Sequence, residues 1–212
     1  MTNKELLQKY AKRKGEIRRR LLHFESVGKN GGKTLFEELA FCILTPQSKA
    51  FSCDEAIQEM KKRGLLHKGS VSEIGQVLSK KTRFHNKKAA YLVEAREKFR
   101  KKDFDALAKA TFHGSEKEAR GALLKEVKGI GWKEASHYLR NVGRGNTIAI
   151  LDRHILKNLV EHRVIGALPK SLTPKRYAAI EKKMEKFCKK AGIPMSHLDL
   201  LFWAEETGRI FK

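Results

Sequence analysis

Apolar residues recur at intervals of three and four along most of the chain, and period-two alternation is almost absent. Leu6, Tyr10, Ile17, Leu21 and Phe24 share one helical face, with Gly15 as a point where that segment could break or bend. Thr34-Leu35-Phe36-Glu37 has capping-box spacing, and Leu35, Leu39 and Cys42 lie on one face behind it. After Pro46, the spacing of Cys53, Ile57 and Met60 predicts a helix that stops at Gly64. Ser70-Val71-Ser72-Glu73 opens a short helix through Leu78, and Ala89, Leu92, Val93 and Phe99 define a longer one. Ser115 to Glu118 repeats the capping box ahead of Ala119, Ala122, Leu123 and Val127. Asp152 stands before Ile155, Leu156 and Leu159 as an N-cap, and Thr173-Pro174 joins an N-cap to a proline at the first helical position. A last helix starts near Ser196 and carries Leu198, Leu201, Phe202 and Trp203. The reading is an all-α fold of nine or ten helices, with Thr147 to Leu151 as the one stretch that could be a strand.

Length and charge narrow the classes. The 212 residues are 41% hydrophobic, enough to bury a core in one domain or two small lobes and too apolar for a disordered basic tail. No run approaches the roughly 18 apolar residues of a membrane span. The start, MTNKELLQKYAKRKGEIRRR, lacks the apolar stretch of a secretion signal. Cys42, Cys53 and Cys188 are odd in number and without paired spacing, which fits a reducing cytosol. The histidines show no metal-ligand spacing, and Cys42 and Cys53 read as core thiols, so no metal is expected. A net charge of +22 points to a polyanion, most simply nucleic acid. That charge is dispersed in doublets such as Lys87-Lys88 and Lys182-Lys183, interleaved with acids, so each doublet reads as a polar helix face. Their sum still implies salt-sensitive DNA or RNA binding.

The chemistry concentrates between Leu123 and His154. A helix runs into Val127-Lys128-Gly129-Ile130-Gly131 and another starts at once. Two glycines around one aliphatic residue let the chain reverse tightly while Ile130 packs inward. The N–H groups of the turn and of the next helix N-terminus then face outward, where a phosphate can sit on them. This is a helix-hairpin-helix arrangement, which grips a DNA backbone without reading sequence. Lys133 falls in the first turn of the second helix, where the dipole disfavours a cation by under about 1 kcal/mol. It is either a solvated surface lysine or an amine placed to attack a sugar C1′ and form a Schiff base. Nineteen residues later, Asp152 caps its helix and can also hold a carboxylate near the sugar as positive charge develops there.

These residues make the chain resemble the helix-hairpin-helix DNA glycosylase superfamily, whose signature is hairpin, catalytic lysine, Gly/Pro-rich connection and catalytic aspartate. The connection here, Gly143-Arg144-Gly145-Asn146, has glycines but no proline. More narrowly, the chain is similar to the type 2 8-oxoguanine DNA glycosylase/AP lyases of archaea and some bacteria. The likeness runs through ELAFCILTPQSKA (Glu38 to Ala50), RFHNKKAAYLVEAR (Arg83 to Arg96), GIGWKEASHYLRNVG (Gly129 to Gly143), AILDRHIL (Ala149 to Leu156) and the terminal LDLLFWAEETGRIFK. It implies two helical subdomains with the active site in the cleft between them. Residues 34–150, with the hairpin at 118–142, would form one lobe, and residues 1–33 plus 151–212 the other. It also implies Lys133 as nucleophile and Asp152 as its catalytic partner. Relatives with a [4Fe–4S] cluster carry four C-terminal cysteines, whereas only Cys188 lies in that region, so no cofactor is expected.

An extruded base needs a pocket, usually with aromatic stacking. By its setting Trp203 reads as a core residue, but the resemblance implies that it stacks on the flipped base, with Phe84 as a candidate for the other side. The resemblance further implies that Lys212 folds back into the pocket and that its terminal carboxylate accepts from guanine N1–H and the exocyclic amine, two adjacent donors matched by an acceptor with two oxygens. Gln47, in the Leu44-Thr45-Pro46-Gln47 turn, is either an ordinary polar loop residue or the side chain that enters the gap in the duplex. The expected protein is a cytoplasmic, nucleoid-associated monomer acting on damaged double-stranded DNA, with no membrane partner. It would excise 8-oxoguanine and cleave the abasic site by β-elimination. A helix-hairpin-helix glycosylase for another lesion and a non-enzymatic DNA-binding protein are the alternatives.

Overall fold

Local capping fixes where several helices begin. The computed structural model describes residues 3–212, and among them it contains twelve α-helices, one short 3-10 turn and no strand. Helix α1 (Asn3–Lys29) passes through Gly15 without a break. A long helix packed along its length by Leu6, Tyr10, Ile17 and Phe24 absorbs the roughly 1 kcal/mol that one glycine costs. Helix α2 (Gly32–Leu44) starts three residues earlier than the Thr34 box predicts. Gly31 is its N-cap, and the Thr34 hydroxyl instead donates back to the Asn30 carbonyl at 3.5 Å. Helices α3 (Ala50–Lys62) and α6 (His85–Phe99) carry the expected buried stripes. Both Ser–Glu capping boxes form, Ser70 opening α5 (Val71–Ser79) and Ser115 opening α8 (Glu116–Glu126).

The two helices that periodicity missed are α4 (Leu65–Lys68), a single turn, and α7 (Asp105–Phe112), which buries only Leu107 and Thr111. Helix α9 (Trp132–Asn141) follows α8 across the hairpin. The chain then runs extended from Thr147 to Leu151 into α10 (Arg153–Glu161). No second strand pairs with this stretch, because side chains of α11 (Pro174–Ala191) take its backbone groups. The Ala149 N–H donates to Glu181 at 2.8 Å, the Tyr177 hydroxyl donates to the Ala149 carbonyl at 2.7 Å, and the Leu151 N–H donates back to that hydroxyl at 3.1 Å. Helix α12 (Met195–Thr207) completes the chain before a nonhelical tail.

Buried apolar side chains fall into two clusters. One gathers Leu35 to Leu44 with residues of α3, α5, α6, α8 and α9. The other gathers α1 from Leu6 to Phe24, Ala149 and Leu151, and the faces of α10, α11 and α12. A buried bidentate ion pair ties them: Arg120 of α8 reaches Glu181 of α11 at 2.6 and 3.0 Å and also donates to Ser136 of α9 at 3.1 Å. The Arg120 guanidinium lies over Trp132, 4.4 Å from the ring centroid, so the hairpin is fixed to the second cluster through one side chain.

Candidate active site

The hairpin turn is shaped by Gly129, whose φ of +84° is left-handed and whose missing side chain makes room for the Tyr91 ring. Ile130 is half-buried against the first cluster, less inward than its position between two glycines suggests. Lys128 points outward and pairs with Glu94 at 2.8 Å, which holds its ammonium above the usual lysine range. Gly131 is the N-cap of α9, and its N–H donates to the Glu134 carboxylate at 3.1 Å. The same carboxylate, itself buried, takes the Lys133 ammonium at 2.9 Å. Lys133 is therefore held by a neighbour in its own first turn. Its side chain is 24% exposed, in the wall of a cleft.

Asp152 enters the same cleft from the other direction, at the end of the extended stretch and the start of α10. The N–H groups of His154 and Ile155 both donate to its Oδ1 at 2.8 Å, which leaves Oδ2 to face the cleft. The cleft has a volume of about 580 Å³. Trp203 lies on its far wall, half-buried, edge-on to Phe51 with ring centroids 5.7 Å apart. One turn earlier on α12, Asp199 is buried in the wall. Burial pushes its carboxyl up to about 7; Arg140, 3.7 Å away, opposes that and the nearby Asp152 adds to it.

The chain end folds back into the cleft. Phe211 packs on Phe51 and Phe41, and Arg209 sits over the Phe51 ring at 3.5 Å. The Lys212 side chain is 14% exposed, its ammonium 2.8 Å from Glu38 of α2 and 3.1 Å from Asp54 of α3. Burial alone would lower its pKa, but the two carboxylates outweigh this and raise it. Asn141, at the end of α9, donates to the other Glu38 oxygen at 3.0 Å. The amine is thus the anchor of the chain end.

Gln47 is exposed at the cleft rim with a left-handed backbone, φ 53°. A buried lysine holds its turn: Lys88 donates to the carbonyls of Leu44 and Pro46 at 2.7 and 2.8 Å and to the Ser48 hydroxyl at 2.8 Å. Ser48 also accepts the Arg83 N–H at 3.0 Å, which joins this turn to the one carrying Phe84. Phe84 is left-handed too, φ 56°, but 52% exposed beneath the Arg83 guanidinium. It stands outside the cleft, and Arg83 rather than Phe84 lines it. Among the described residues no group of three His, Cys, Asp or Glu side chains is arranged to hold a metal ion.

A helix hairpin beside a cleft that holds a lysine and a capping aspartate defines the helix-hairpin-helix class of DNA glycosylases. A sequence model of the 8-oxoguanine DNA glycosylase family matches residues 17–193, and the chain belongs to that family. It is 46% identical to the 8-oxoguanine DNA glycosylase/AP lyase of Fusobacterium nucleatum, over 98% of this chain and 96% of that protein. It is 36% identical to the enzyme of the same name from Methanocaldococcus jannaschii, over 92% and 91% of the two chains. The crystal structure of the 8-oxoguanine DNA glycosylase of Thermotoga maritima superposes with a TM-score of 0.88 at 32% identity, covering 99% of this chain and 98% of that one. The Methanocaldococcus jannaschii glycosylase/lyase, crystallised in complex with a 15mer DNA containing 8-oxoguanine, gives a TM-score of 0.86 at 33% identity, over 98% of this chain and 100% of that one.

Sequence reading missed Glu134, Glu38, Asp54, His137, Arg140 and Asp199. The Gly131-to-Glu134 spacing, a capping box with glycine at its head, would have pointed to Glu134. Glu38 lies 174 residues from the lysine it binds, a separation that leaves no local signal.

Proposed function

We propose that this protein excises 8-oxoguanine from damaged double-stranded DNA and then cleaves the abasic site. The observation that carries the reading is the convergence of Lys133 and Asp152 on one cleft beside the hairpin. The hairpin N–H groups of Gly129, Ile130 and Gly131, with Lys128 beside them, bind a backbone phosphate, and the spread positive charge adds affinity that salt weakens. Gln47 enters the space left in the duplex by the extruded nucleotide, supported from below by Lys88. The base stacks on Trp203, with Phe84 of the neighbouring turn as the candidate for its other face, and the Lys212 carboxylate takes its N1–H and amine.

Lys133 passes a proton to a neighbouring carboxylate, and its free amine attacks C1′. The bond from C1′ to the base breaks, and the base leaves with the electron pair and takes up a proton. Asp152 Oδ2 stabilises the positive charge that builds on the sugar. The sugar ring opens to a Schiff base on Lys133, loss of a C2′ proton expels the 3′ phosphate, and hydrolysis frees the lysine. Every group in this scheme comes from one chain, which supports a monomer, working in the cytoplasm at the nucleoid. The two apolar clusters support two lobes close to residues 34–150 and residues 1–33 plus 151–212, with Val27 packed in the first cluster and Ala149 in the second. A panel of duplexes, each with one damaged base, tests the assignment. Strand cleavage at 8-oxoguanine is expected, and cleavage only at an alkylated base or an oxidised pyrimidine would overturn it.

A further inference from the structure

Adjacent residues of a helix point in different directions and rarely touch. Lys133 and Glu134 stand side by side in the first turn of α9, yet Glu134 Oε1 lies 2.9 Å from the Lys133 ammonium. The helix cap makes that contact. The Gly131 N–H donates to Glu134 Oε2 at 3.1 Å, which turns the carboxylate back along the first turn and beside its neighbour. Among the described residues Glu134 is the carboxylate in ion-pair contact with Lys133; Asp152 lines the same cleft without reaching that ammonium. The other titratable groups nearby are poor proton acceptors. Lys88, from α6, is a cation bonded to the Leu44 and Pro46 carbonyls. Burial holds the Cys42 thiol of α2 well above its usual range, so it keeps its proton. Burial also holds His137, one turn along α9, well below the histidine range, and neither of its ring nitrogens is hydrogen-bonded to Lys133.

A nucleophilic amine needs its lone pair, so the ammonium proton must pass to a group already in hydrogen-bond reach. On the reading above, in which Lys133 attacks C1′, we propose that Glu134 is the catalytic base that frees the amine. The Nζ–H bond breaks and its proton moves to Oε1. The lone pair left on nitrogen forms the bond to C1′, and the damaged base departs with the pair of the broken glycosidic bond. Nitrogen then carries a positive charge and two protons, one of which passes to the departing base. At an abasic site the same amine adds to the C1′ aldehyde, and the proton on Glu134 returns to the hydroxyl that leaves as water. DNA seated over the cleft drives the first transfer. It strips water from the partly exposed Lys133, which costs the charged pair solvation that the neutral pair does not need. The two carboxylates thus divide the chemistry: Glu134 activates the nucleophile, and Asp152 stabilises the charge on the sugar.

Glu134→Gln removes the base and keeps an acceptor for the Gly131 N–H, so its melting temperature should stay near wild type. Borohydride adduct formation at a preformed abasic site should slow by about 10²-fold or more, and excision of 8-oxoguanine should slow with it. Asp152→Asn, which keeps the base, should lose excision but form the adduct at a preformed abasic site much faster than the glutamine variant. In Glu134→Ala, acetate or formate added at fixed pH should restore part of the adduct rate in proportion to its concentration, a response that a purely structural role would not give. A glutamine variant that forms the adduct at the wild-type rate would overturn the assignment, and a faster one would show that Glu134 only holds the amine charged. A rate loss no greater than the loss of folded protein would also overturn it, as would an alanine variant indifferent to both small carboxylates. Wild-type protein that forms the adduct at abasic sites but leaves 8-oxoguanine in place would overturn the substrate reading and leave this assignment standing. No adduct at either site would overturn the Lys133 nucleophile, and this assignment with it.

Discussion

Asp152 holds two jobs that substitution can separate. Both helix-capping hydrogen bonds, from His154 and Ile155, end on Oδ1 at 2.8 Å, while Oδ2 is left for the cleft. Asparagine caps a helix as well as aspartate does, so Asp152→Asn keeps both bonds through its carbonyl oxygen. It gives up only the negative charge at the positive end of α10, about 0.3–1 kcal/mol. Asp152→Ala removes the cap as well and should cost about 1–2 kcal/mol. Catalysis follows a different order, because both variants lack the anion. Excision should fall by about 10²–10⁴-fold in each, the range for losing a positioned acid–base or charge-stabilising group. Urea unfolding gives the stabilities, and single-turnover cleavage of an 8-oxoguanine duplex gives the rates. The expected result is an asparagine variant near wild-type stability and close to the alanine variant in rate. Wild-type excision by Asp152→Asn would reduce the carboxylate to a cap, and an alanine variant as stable as wild type would show that the cap contributes nothing.

Other perturbations have equally definite outcomes. Residues added after Lys212, or removal of Lys212, should slow 8-oxoguanine excision more than abasic-site cleavage, because only base removal needs the pocket; equal loss of both would contradict the pocket role. Arg120→Met leaves Glu181 buried without its cation and should destabilise the fold by about 3–5 kcal/mol in urea unfolding; a loss under about 1 kcal/mol would show that the pair does not fasten the hairpin to α11. Asp199, raised to about 7 from an ordinary 3.8, binds a proton in the native state that the unfolded chain has already released between about pH 4 and 7. Native stability from this group therefore falls as pH rises through that window and levels off above it. Asp199→Asn should gain on wild type between pH 5 and pH 8, seen as a widening gap in melting temperature; a constant gap would refute the shift.

What the sequence made legible follows the range over which each signal acts. Ser70, Ser115, Asp152 and Thr173 each cap a helix through backbone two or three residues away, and all four caps form as read. Thr34 fails as a cap because Gly31, three residues earlier, lets the helix start first. Gly15 breaks nothing because tertiary packing holds α1 on both sides of it. Helix α7 escaped notice because its sequence, DALAKATF, offers too short a stripe to show periodicity. Thr147 to Leu151 is extended, as its residues favour, but α11 supplies the hydrogen bonds that a neighbouring strand would have given. In the cleft, Lys133 and Asp152 were legible because a turn and a cap mark them locally. The Glu38–Lys212–Asp54 anchor and the pairing of Arg140 with Asp199 join distant parts of the chain, and no local pattern announces them.

The covalent role of Lys133 is open to one direct measurement. Borohydride added while the protein turns over an 8-oxoguanine duplex reduces a Schiff base to a stable amine, so protein and DNA should migrate together on a denaturing gel, with the attached residue identified by mass spectrometry as Lys133. Lys133→Gln should bind the same duplex and give no adduct. An undiminished adduct in that variant, or attachment at another lysine, would contradict the assignment.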